Sequence, residues 1–488
     1  MEVVVGKAGA GKTFALHAAR DAWQASGVRV IGCALAARAA AELHAGAGID
    51  SYTIDALLAA LDRPGPAGGL AHSSVLVVDE AGMVGTRKLA RLLDHTERGG
   101  AKLVLVGDHH QLPEIDVGGM FRGLVNRLPV VELTDNRRQR QAWERDALDE
   151  LRGGDPAAAV AVYNGAGRVV VGDTAEAVRE QLVSDWWTAR TEHDGPGDRG
   201  VMIAARVNDV EDLNDRARVR LAAAGELTGP ALPAAAGREF QAGDRIVCLR
   251  NDRRLGVVNG TRARVTTADL AAGTLTARLE RDGRTFVLPR GYLDAGHVAH
   301  GYAITGHKAQ GLTTDRAWVL GSDAIYREWG YVAMSRGRDS NRLYIVTGAD
   351  SAEEELHGHG PQPAADATDE LVQALRRSRR QHLAMDGADI AGIPTHPPCP
   401  GSPTPHGSTA PARRVRATRD PTRCAVALGR AATGRDDQCA STGKTTWSGS
   451  WGRYRRTTSS EQRTSMTGGV ASPTVSGTRV VTWIAWTA

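Results

Sequence analysis

Near the start of the chain stands the glycine-rich run Gly6-Lys7-Ala8-Gly9-Ala10-Gly11-Lys12-Thr13. It follows a short apolar segment, residues 2–5, and precedes residues 12–26, whose apolar positions recur with a helical period. A strand, a glycine-rich turn and a helix N-terminus together direct backbone N–H groups at one point, where they bind phosphate oxygens. This context favours a nucleotide-binding loop over the alternative, a glycine-rich turn without a ligand.

Each position of this loop has an expected task. Lys12 is expected to neutralise the β- and γ-phosphates during catalysis, and Thr13 is expected to hold Mg²⁺. The residues expected to contact the nucleotide are Gly6, Ala8, Gly9, Ala10, Gly11, Lys12 and Thr13.

A pair of carboxylates, Asp79 and Glu80, follows a second apolar run at residues 74–78. Asp79 is expected to hold Mg²⁺ through water, and Glu80 to orient or deprotonate the attacking water. Taken alone, such a pair is usually part of a solvated loop. Because it accompanies the phosphate loop, we predict hydrolysis of the nucleotide in addition to binding.

Three further side chains are candidates for catalysis. Gln111 follows the apolar run at residues 102–106 and is expected to contact the γ-phosphate. Arg138 and Arg336 are expected to stabilise charge on that phosphate from across a cleft between domains. The evidence for each of these three roles is weak when taken alone. A lone glutamine at this position is often part of a turn, and a lone arginine is usually a surface charge.

The order of apolar runs predicts an α/β fold. Strand and helix patterns alternate over residues 1–130 and again over 131–350, which indicates two parallel sheets covered by helices. Between about residues 243 and 290 the dipeptides Asn259-Gly260 and Asp282-Gly283 are hairpin signals, so we expect a small β-barrel inserted in the second domain.

The composition and the periodicity of the sequence change toward the end of the chain. Within residues 351–386 we expect a C-terminal helix, spanning about 366–385. Residues 387–488 are rich in Pro, Ser, Thr, Gly and Arg and show no period, so we expect a disordered low-complexity tail.

Composition excludes several classes of protein. The 488 residues carry a formal net charge of only +4, so no global basic field identifies a partner. The five cysteines form no CxxC pair, which argues against a zinc site or a disulfide framework. No apolar run reaches the length of a membrane span, so we expect a cytoplasmic protein without membrane insertion.

The order of these motifs resembles the RecD-like branch of the superfamily 1 helicases. In detail it looks most similar to the helicase portion of MobF-type conjugative relaxases, over roughly the first 350 residues. The matching stretches are residues 6–13, 34–43, Thr53, 79–81, 107–108, 111–113, 132–139, 143–145, 243–245, 259–261, 307–313 and 331–338.

The resemblance implies a fold and an activity. It implies two RecA-like motor domains with ATP and Mg²⁺ in the cleft between them, and translocation 5′ to 3′ on single-stranded DNA as a monomer. It also implies a connection with conjugative DNA transfer and the proteins of that machinery. The residues that it places on the DNA path are Arg38, Thr53, His307, Lys308 and Thr313.

The sequence departs from the relaxase pattern at its start. Met1 stands one residue before the first strand, so the upstream helix whose glutamine reads adenine in this family is not in this sequence. The metal-binding histidine triad and the N-terminal nucleophilic tyrosine of a relaxase are not in it either. We therefore expect a fragment of a longer relaxase that does not nick DNA.

Two other functions compete with a helicase. One is a nucleotide-dependent DNA-binding remnant without productive unwinding. The other is a P-loop kinase, which Gln111, Arg138 and the block around Arg336 disfavour.

Overall fold

A computed structural model of the chain describes residues 1–65, 68–191, 200–346, 367–383 and 386. Its first third forms a six-stranded sheet in which every pair of neighbouring strands is parallel. The strands are β1 Glu2–Gly6, β2 Arg29–Ala34, β3 Asp50–Thr53, β4 Ser74–Asp79, β5 Lys102–Gly107 and β6 Val130–Leu133. Their order is β3-β2-β4-β5-β1-β6, and this is called the first sheet.

Helices cover both faces of the first sheet. Along β4, Val75 and Val77 pack into one hydrophobic cluster while Leu76 and Val78 pack into another. This alternation buries both faces, which explains why the strand is a continuous apolar run. The helices are α1 Lys12–Ala25, α2 Ala37–Ala47, α3 Ile54–Leu61, α4 Thr86–Gly99 and α5 Met120–Val125.

A second parallel sheet follows, again as the alternation predicts. Its strands are β7 Val169–Gly172, β8 Gly200–Ala204, β16 Ala303–Thr305, β17 Thr314–Leu320 and β18 Gly337–Val346. They lie in the order β16-β8-β17-β18-β7 and are called the second sheet. Around it lie α6 Ala142–Gly153, α7 Pro156–Gly165, α8 Ala175–Thr191, α9 Val207–Ala223, α11 Gly306–Ala309, α12 Arg327–Met334 and α13 Ala367–Arg376.

Between α9 and β16 the chain forms antiparallel structure. Its elements are β9 Thr228–Pro233, β10 Glu239–Ala242, β11 Arg245–Cys248, β12 Arg262–Asp269, β13 Thr274–Leu279, β14 Thr285–Leu288, α10 Arg290–Asp294 and β15 Val298–His300. Strands β9 and β10 form a hairpin, and a five-stranded sheet has the order β14-β13-β12-β11-β15. The sheet continues to β15, beyond residue 290, and the small β-barrel expected at about residues 243–290 stays a prediction.

The two hairpin signals have different outcomes. Asp282-Gly283 lies in the short connection between β13 and β14, where Gly283 has a φ of 71°. Asn259-Gly260 instead lies in the long connection between β11 and β12. The dipeptide therefore marks a turn inside a loop rather than a two-residue hairpin.

The C-terminal helix is shorter than the sequence pattern predicts. It ends at Arg376, and residues 377–383 continue without helical structure. Here the carboxylate of Glu328 accepts hydrogen bonds from the hydroxyl of Ser378 and the N–H of Arg379, and these tertiary contacts replace helical ones. The predicted tail, residues 387–488, lies outside the described residues.

No helix in the described part of the chain combines the length and the apolar character that crossing a bilayer requires.

Candidate nucleotide cleft

The phosphate loop connects β1 to α1, as the sequence predicts. Gly9 and Gly11 have φ values of 78° and 79°, a left-handed conformation that L side chains rarely adopt. A Cβ at Gly9 would also lie 2.5 Å from the Cβ of Arg138. These glycines let the backbone turn tightly, as it does in an anion-binding nest.

Lys12 lies along the same loop. Its Nζ donates to the carbonyl oxygen of Gly6 at 3.0 Å and to that of Lys7 at 3.5 Å. A Cβ at Gly6 would lie 2.7 Å from Lys12 Cγ, so a side chain at that position would displace the lysine. The first glycine of the motif thus makes room for the motif's own lysine.

The carboxylates Asp79 and Glu80 stand at the end of β4, beside the loop. Glu80 has a φ of 50°, a rare conformation for a residue other than glycine, and its N–H donates to Asp79 Oδ1 at 2.9 Å. Burial, followed by repulsion from Glu80, raises the pKa of Asp79 to about 7, while Lys12 opposes the shift. Backbone strain and a perturbed pKa occur together at functional sites.

This arrangement fits Mg²⁺. The hydroxyl of Thr13 and the carboxylate of Asp79 are hard oxygen ligands, and a divalent cation would compensate the buried carboxylate. Within the described residues no group of three or more His, Cys, Asp or Glu side chains could hold a metal ion alone. Mg²⁺ typically takes only one or two protein oxygens and obtains others from phosphates and water, so the donor set suits a nucleotide-bound magnesium ion.

The loop and the carboxylates open into a cleft of about 640 Å³ that residues beyond the first sheet also line. Its cationic side chains outnumber its carboxylates, which favours a polyanionic ligand. The cationic residues are Lys12, Arg38, Arg137, Arg138, Arg140, Lys308 and Arg338. The acidic residues are Glu42, Asp79 and Glu80.

Polar contacts cross this cleft. Gln310 Nε2 donates to Glu80 Oε2 at 3.3 Å, so the expected base touches a residue that follows α11. Arg138 Nη1 donates to the carbonyl oxygen of Ser335 at 2.9 Å. The expected catalytic groups of the first sheet are therefore already bonded to segments around the second sheet.

Four of the five residues expected on the DNA path line this same cleft. They are Arg38, His307, Lys308 and Thr313. Arg38 Nη1 donates to the carbonyl oxygen of Lys308 at 3.2 Å, and burial lowers the pKa of Lys308 and of His307. Thr53 is not among the lining residues; its hydroxyl accepts from the N–H of Ala56 at 3.2 Å and caps α3.

Gln111 and Arg336 lie behind the cleft surface. Gln111 is 4% exposed, and its amide donates to Asp108 Oδ2 at 3.4 Å. Arg336 is 1% exposed, and its guanidinium donates to the carbonyl oxygens of Val332, Ala309 and Leu312. Burial, followed by repulsion from Arg138, lowers its pKa to about 9. The catalytic roles expected of both residues stay predictions.

Tyr331 is the residue that the sequence reasoning did not assign. Its hydroxyl accepts from the N–H of Ala8 in the phosphate loop at 3.0 Å and donates to Asp108 Oδ2 at 3.3 Å. Asp108 is 2% exposed and also forms an ion pair with Arg152 at 3.3 Å. The signal for this residue in the sequence is its position as the first residue of the stretch 331–338, which also contains Arg336.

The chain is similar to known proteins over part of its length. The profile of the AAA domain family matches residues 1–174. The conjugal transfer protein TraA of Agrobacterium fabrum is 41% identical over 349 residues, which cover 70% of this chain and 30% of TraA. The ATP-dependent RecD2 DNA helicase of Deinococcus radiodurans is 29% identical over 360 residues, or 69% of this chain and 46% of that protein.

Among solved structures, Bacteroides Pif1 bound to single-stranded DNA is similar with a TM-score of 0.46 and 21% identity, covering 70% of this chain and 88% of that chain. The chain thus spans about a third of the length of the TraA proteins that it matches. Its similarity to TraA and RecD2, together with the phosphate loop and the carboxylates beside it, supports a RecD-like superfamily 1 helicase, a P-loop enzyme that hydrolyses ATP, over the part of the chain that these relatives share.

Proposed function

We propose that this chain is an ATP-dependent DNA helicase or translocase that moves 5′ to 3′ on single-stranded DNA and serves conjugative DNA transfer. The observation that carries the proposal is the cleft, where the phosphate loop and Glu80 meet Gln310 and Lys308 from around the second sheet. A hydrolysis site at such a junction lets the state of the nucleotide change the relation of the two sheets. The names of the TraA and RecD2 relatives support the link to conjugation and to DNA.

The proposed chemistry uses the residues in the cleft. The loop N–H groups and Lys12 bind the phosphates of ATP. Thr13 and Asp79 would hold Mg²⁺, which would neutralise negative charge on these phosphates. Glu80 orients the attacking water and takes its proton. Arg138 stabilises charge on the γ-phosphate, and Gln111 and Arg336 assist once the cleft rearranges around ATP.

DNA binding is proposed for residues on both sides of the cleft. Arg38 and Lys308 are already joined by a hydrogen bond, so both could follow the same strand of DNA. With Thr53, His307 and Thr313 they would grip phosphates alternately as the cleft opens and closes. We propose domains at residues 1–130 and 131–350, and a monomer that works with other proteins of the conjugation machinery.

An ATPase assay with and without single-stranded DNA tests this function. We expect DNA to stimulate hydrolysis, and we expect Lys12→Ala and Glu80→Gln each to lower the rate at least about 100-fold, since each removes a group needed for phosphoryl transfer. Hydrolysis that is indifferent to DNA would contradict a motor. Binding of an ATP analogue without turnover would instead support the nucleotide-dependent DNA-binding remnant.

A further inference from the structure

A short segment after α13 joins the two sheets. This segment, called the strap, comprises residues 377–383 and Asp386. Its first half is anchored on α12 by Glu328, whose side chain is buried. The carboxylate of Glu328 accepts from the Ser378 hydroxyl at 2.7 Å and the Arg379 N–H at 3.1 Å, and it pairs with Arg380 Nε at 3.0 Å.

The second half of the strap lies on the loop that follows Gln111. The side-chain amide of Gln381 makes three hydrogen bonds to the main chain of this loop. Its Oε1 accepts from the N–H of Gly118 at 2.7 Å, and its Nε2 donates to the carbonyl oxygens of Glu114 and Asp116, both at 2.9 Å. One side chain therefore uses both its donor and its acceptor capacity on a single loop.

Two glycines between β5 and β6 allow the strap to lie close to the backbone there. Gly119 has a φ of 85°, and a Cβ there would lie 3.1 Å from the carbonyl carbon of His382. A Cβ at Gly123 would lie 2.2 Å from Leu383 Cδ1. An ion pair between Arg127 and Asp386 at 2.8 Å closes the contact. The strap thus lies in close contact with the surface beneath it.

The contacted loop belongs to the catalytic side of the molecule. It begins just after Asp108 and Gln111, and Arg380 of the strap contacts His110. Asp108 is bonded to Tyr331 of α12, whose hydroxyl reaches Ala8 in the phosphate loop. Helix α12 is therefore connected to the segment around Asp108 in two ways. Tyr331 bonds to Asp108 directly, and Glu328 binds the strap, which in turn contacts the loop after Gln111.

We propose that Gln381 is a positioning residue: it fixes the loop at residues 114–118, and through it Gln111 and Asp108, in the arrangement that hydrolysis requires. The effect on ATP hydrolysis rests on the proposed function, whereas the contact that fixes the loop does not. Without Gln381, the Gly118 N–H and two carbonyl oxygens lose their partner, so the loop can leave this arrangement while the phosphate loop stays intact. Turnover then falls, and ATP binding does not.

The test compares Gln381→Ala with Gln373→Ala, which changes the same residue type at an exposed position of α13. In the full chain with saturating single-stranded DNA, Gln381→Ala should lower kcat at least about fivefold and leave KM for ATP within about twofold. Hydrogen exchange at Gly118 should be at least about tenfold faster. Gln373→Ala should change neither quantity.

Two results would overturn the proposal: unchanged exchange at Gly118, or faster exchange with an unchanged kcat. If Gln381→Ala does not fold, Gln381→Glu keeps the side-chain volume and the acceptor but turns a carboxylate toward the two carbonyl oxygens, so the same loss of kcat is expected. A wild-type chain without DNA-stimulated hydrolysis would contradict the proposed function instead, and Gly118 exchange would still test the strap contact.

Discussion

Tyr331 shows how one hydroxyl joins three parts of the molecule. It bonds to Ala8 in the phosphate loop and to Asp108 at the end of the first sheet's central strand β5, while its own helix packs on the second sheet. Buried polar groups of this kind are costly when one partner is removed. The residue is therefore a sensitive point for both stability and nucleotide turnover.

For Tyr331→Phe we expect a loss of about 1–3 kcal/mol in the free energy of unfolding, because the Ala8 N–H is left buried without its partner. We also expect a slower ATPase. Tyr292→Phe is the matched control: it removes the hydroxyl that donates to the Arg250 carbonyl oxygen, away from the cleft. Urea unfolding and ATPase assays would show whether turnover falls in the first variant alone; equal turnover in both would argue against the link.

A second prediction at the residue scale concerns pH. Burial lowers the pKa of His300 from its ordinary value of 6.5 to about 4. The native state therefore excludes a proton that the unfolded chain binds, so the stability contributed is complete above pH 6.5 and is lost as pH falls toward 4. The loss is about 1.4 kcal/mol per pH unit within that window.

Unfolding of His300→Gln, measured between pH 7 and 4, should show a shallower decline than the wild type. The substitution keeps a polar group near the Glu239 carbonyl oxygen, to which His300 Nε2 is bonded at 3.0 Å. Parallel declines in the two proteins would mean that His300 does not carry this acid sensitivity.

Local signals explain which residues could be predicted. The loop at residues 6–13 and the pair Asp79 and Glu80 are encoded by a strand and the turn that follows it, so neighbours in sequence suffice. The contact between Tyr331 and Ala8 joins positions 323 residues apart, and no spacing rule reaches that far. Burial of Arg336 could not be predicted either, because an arginine in isolation favours the surface.

At the scale of elements, the two parallel sheets follow from alternating strand and helix patterns. The end of the C-terminal helix does not follow from the sequence pattern. Glu328 of another helix binds residues 378–380 through two hydrogen bonds and an ion pair, and the helix ends before them. Likewise, Asn259-Gly260 signals a turn but cannot reveal how many residues separate β11 from β12. Tertiary contacts decide both cases.

Two truncations test the strap as an element. A chain ending after Asp386 keeps every described contact of the strap, so its ATPase should match that of the full chain. A chain ending after Arg376 loses the strap and leaves the Glu328 carboxylate without its Ser378, Arg379 and Arg380 partners. We expect a clear loss of DNA-stimulated turnover and a lower melting temperature in the shorter chain. Equal activity of the two would contradict a working role for the strap.

At the scale of the whole molecule, residues from two sheets meet in one cationic cleft. The family resemblance predicted this meeting, and the structure adds its particular contacts, such as that of Gln310 with Glu80. Composition alone gave no hint of it, because a net charge of +4 is spread over the entire chain. Local concentration of charge is a property of the fold.

Unwinding of a tailed duplex tests the account most directly. With ATP and Mg²⁺, the protein should separate a duplex carrying a 5′ single-stranded tail, and it should not separate the same duplex with a 3′ tail. Glu80→Gln should abolish this unwinding while still binding the DNA. Strand separation that prefers the 3′ tail, or that proceeds equally well without ATP, would contradict a 5′-to-3′ motor driven from this cleft.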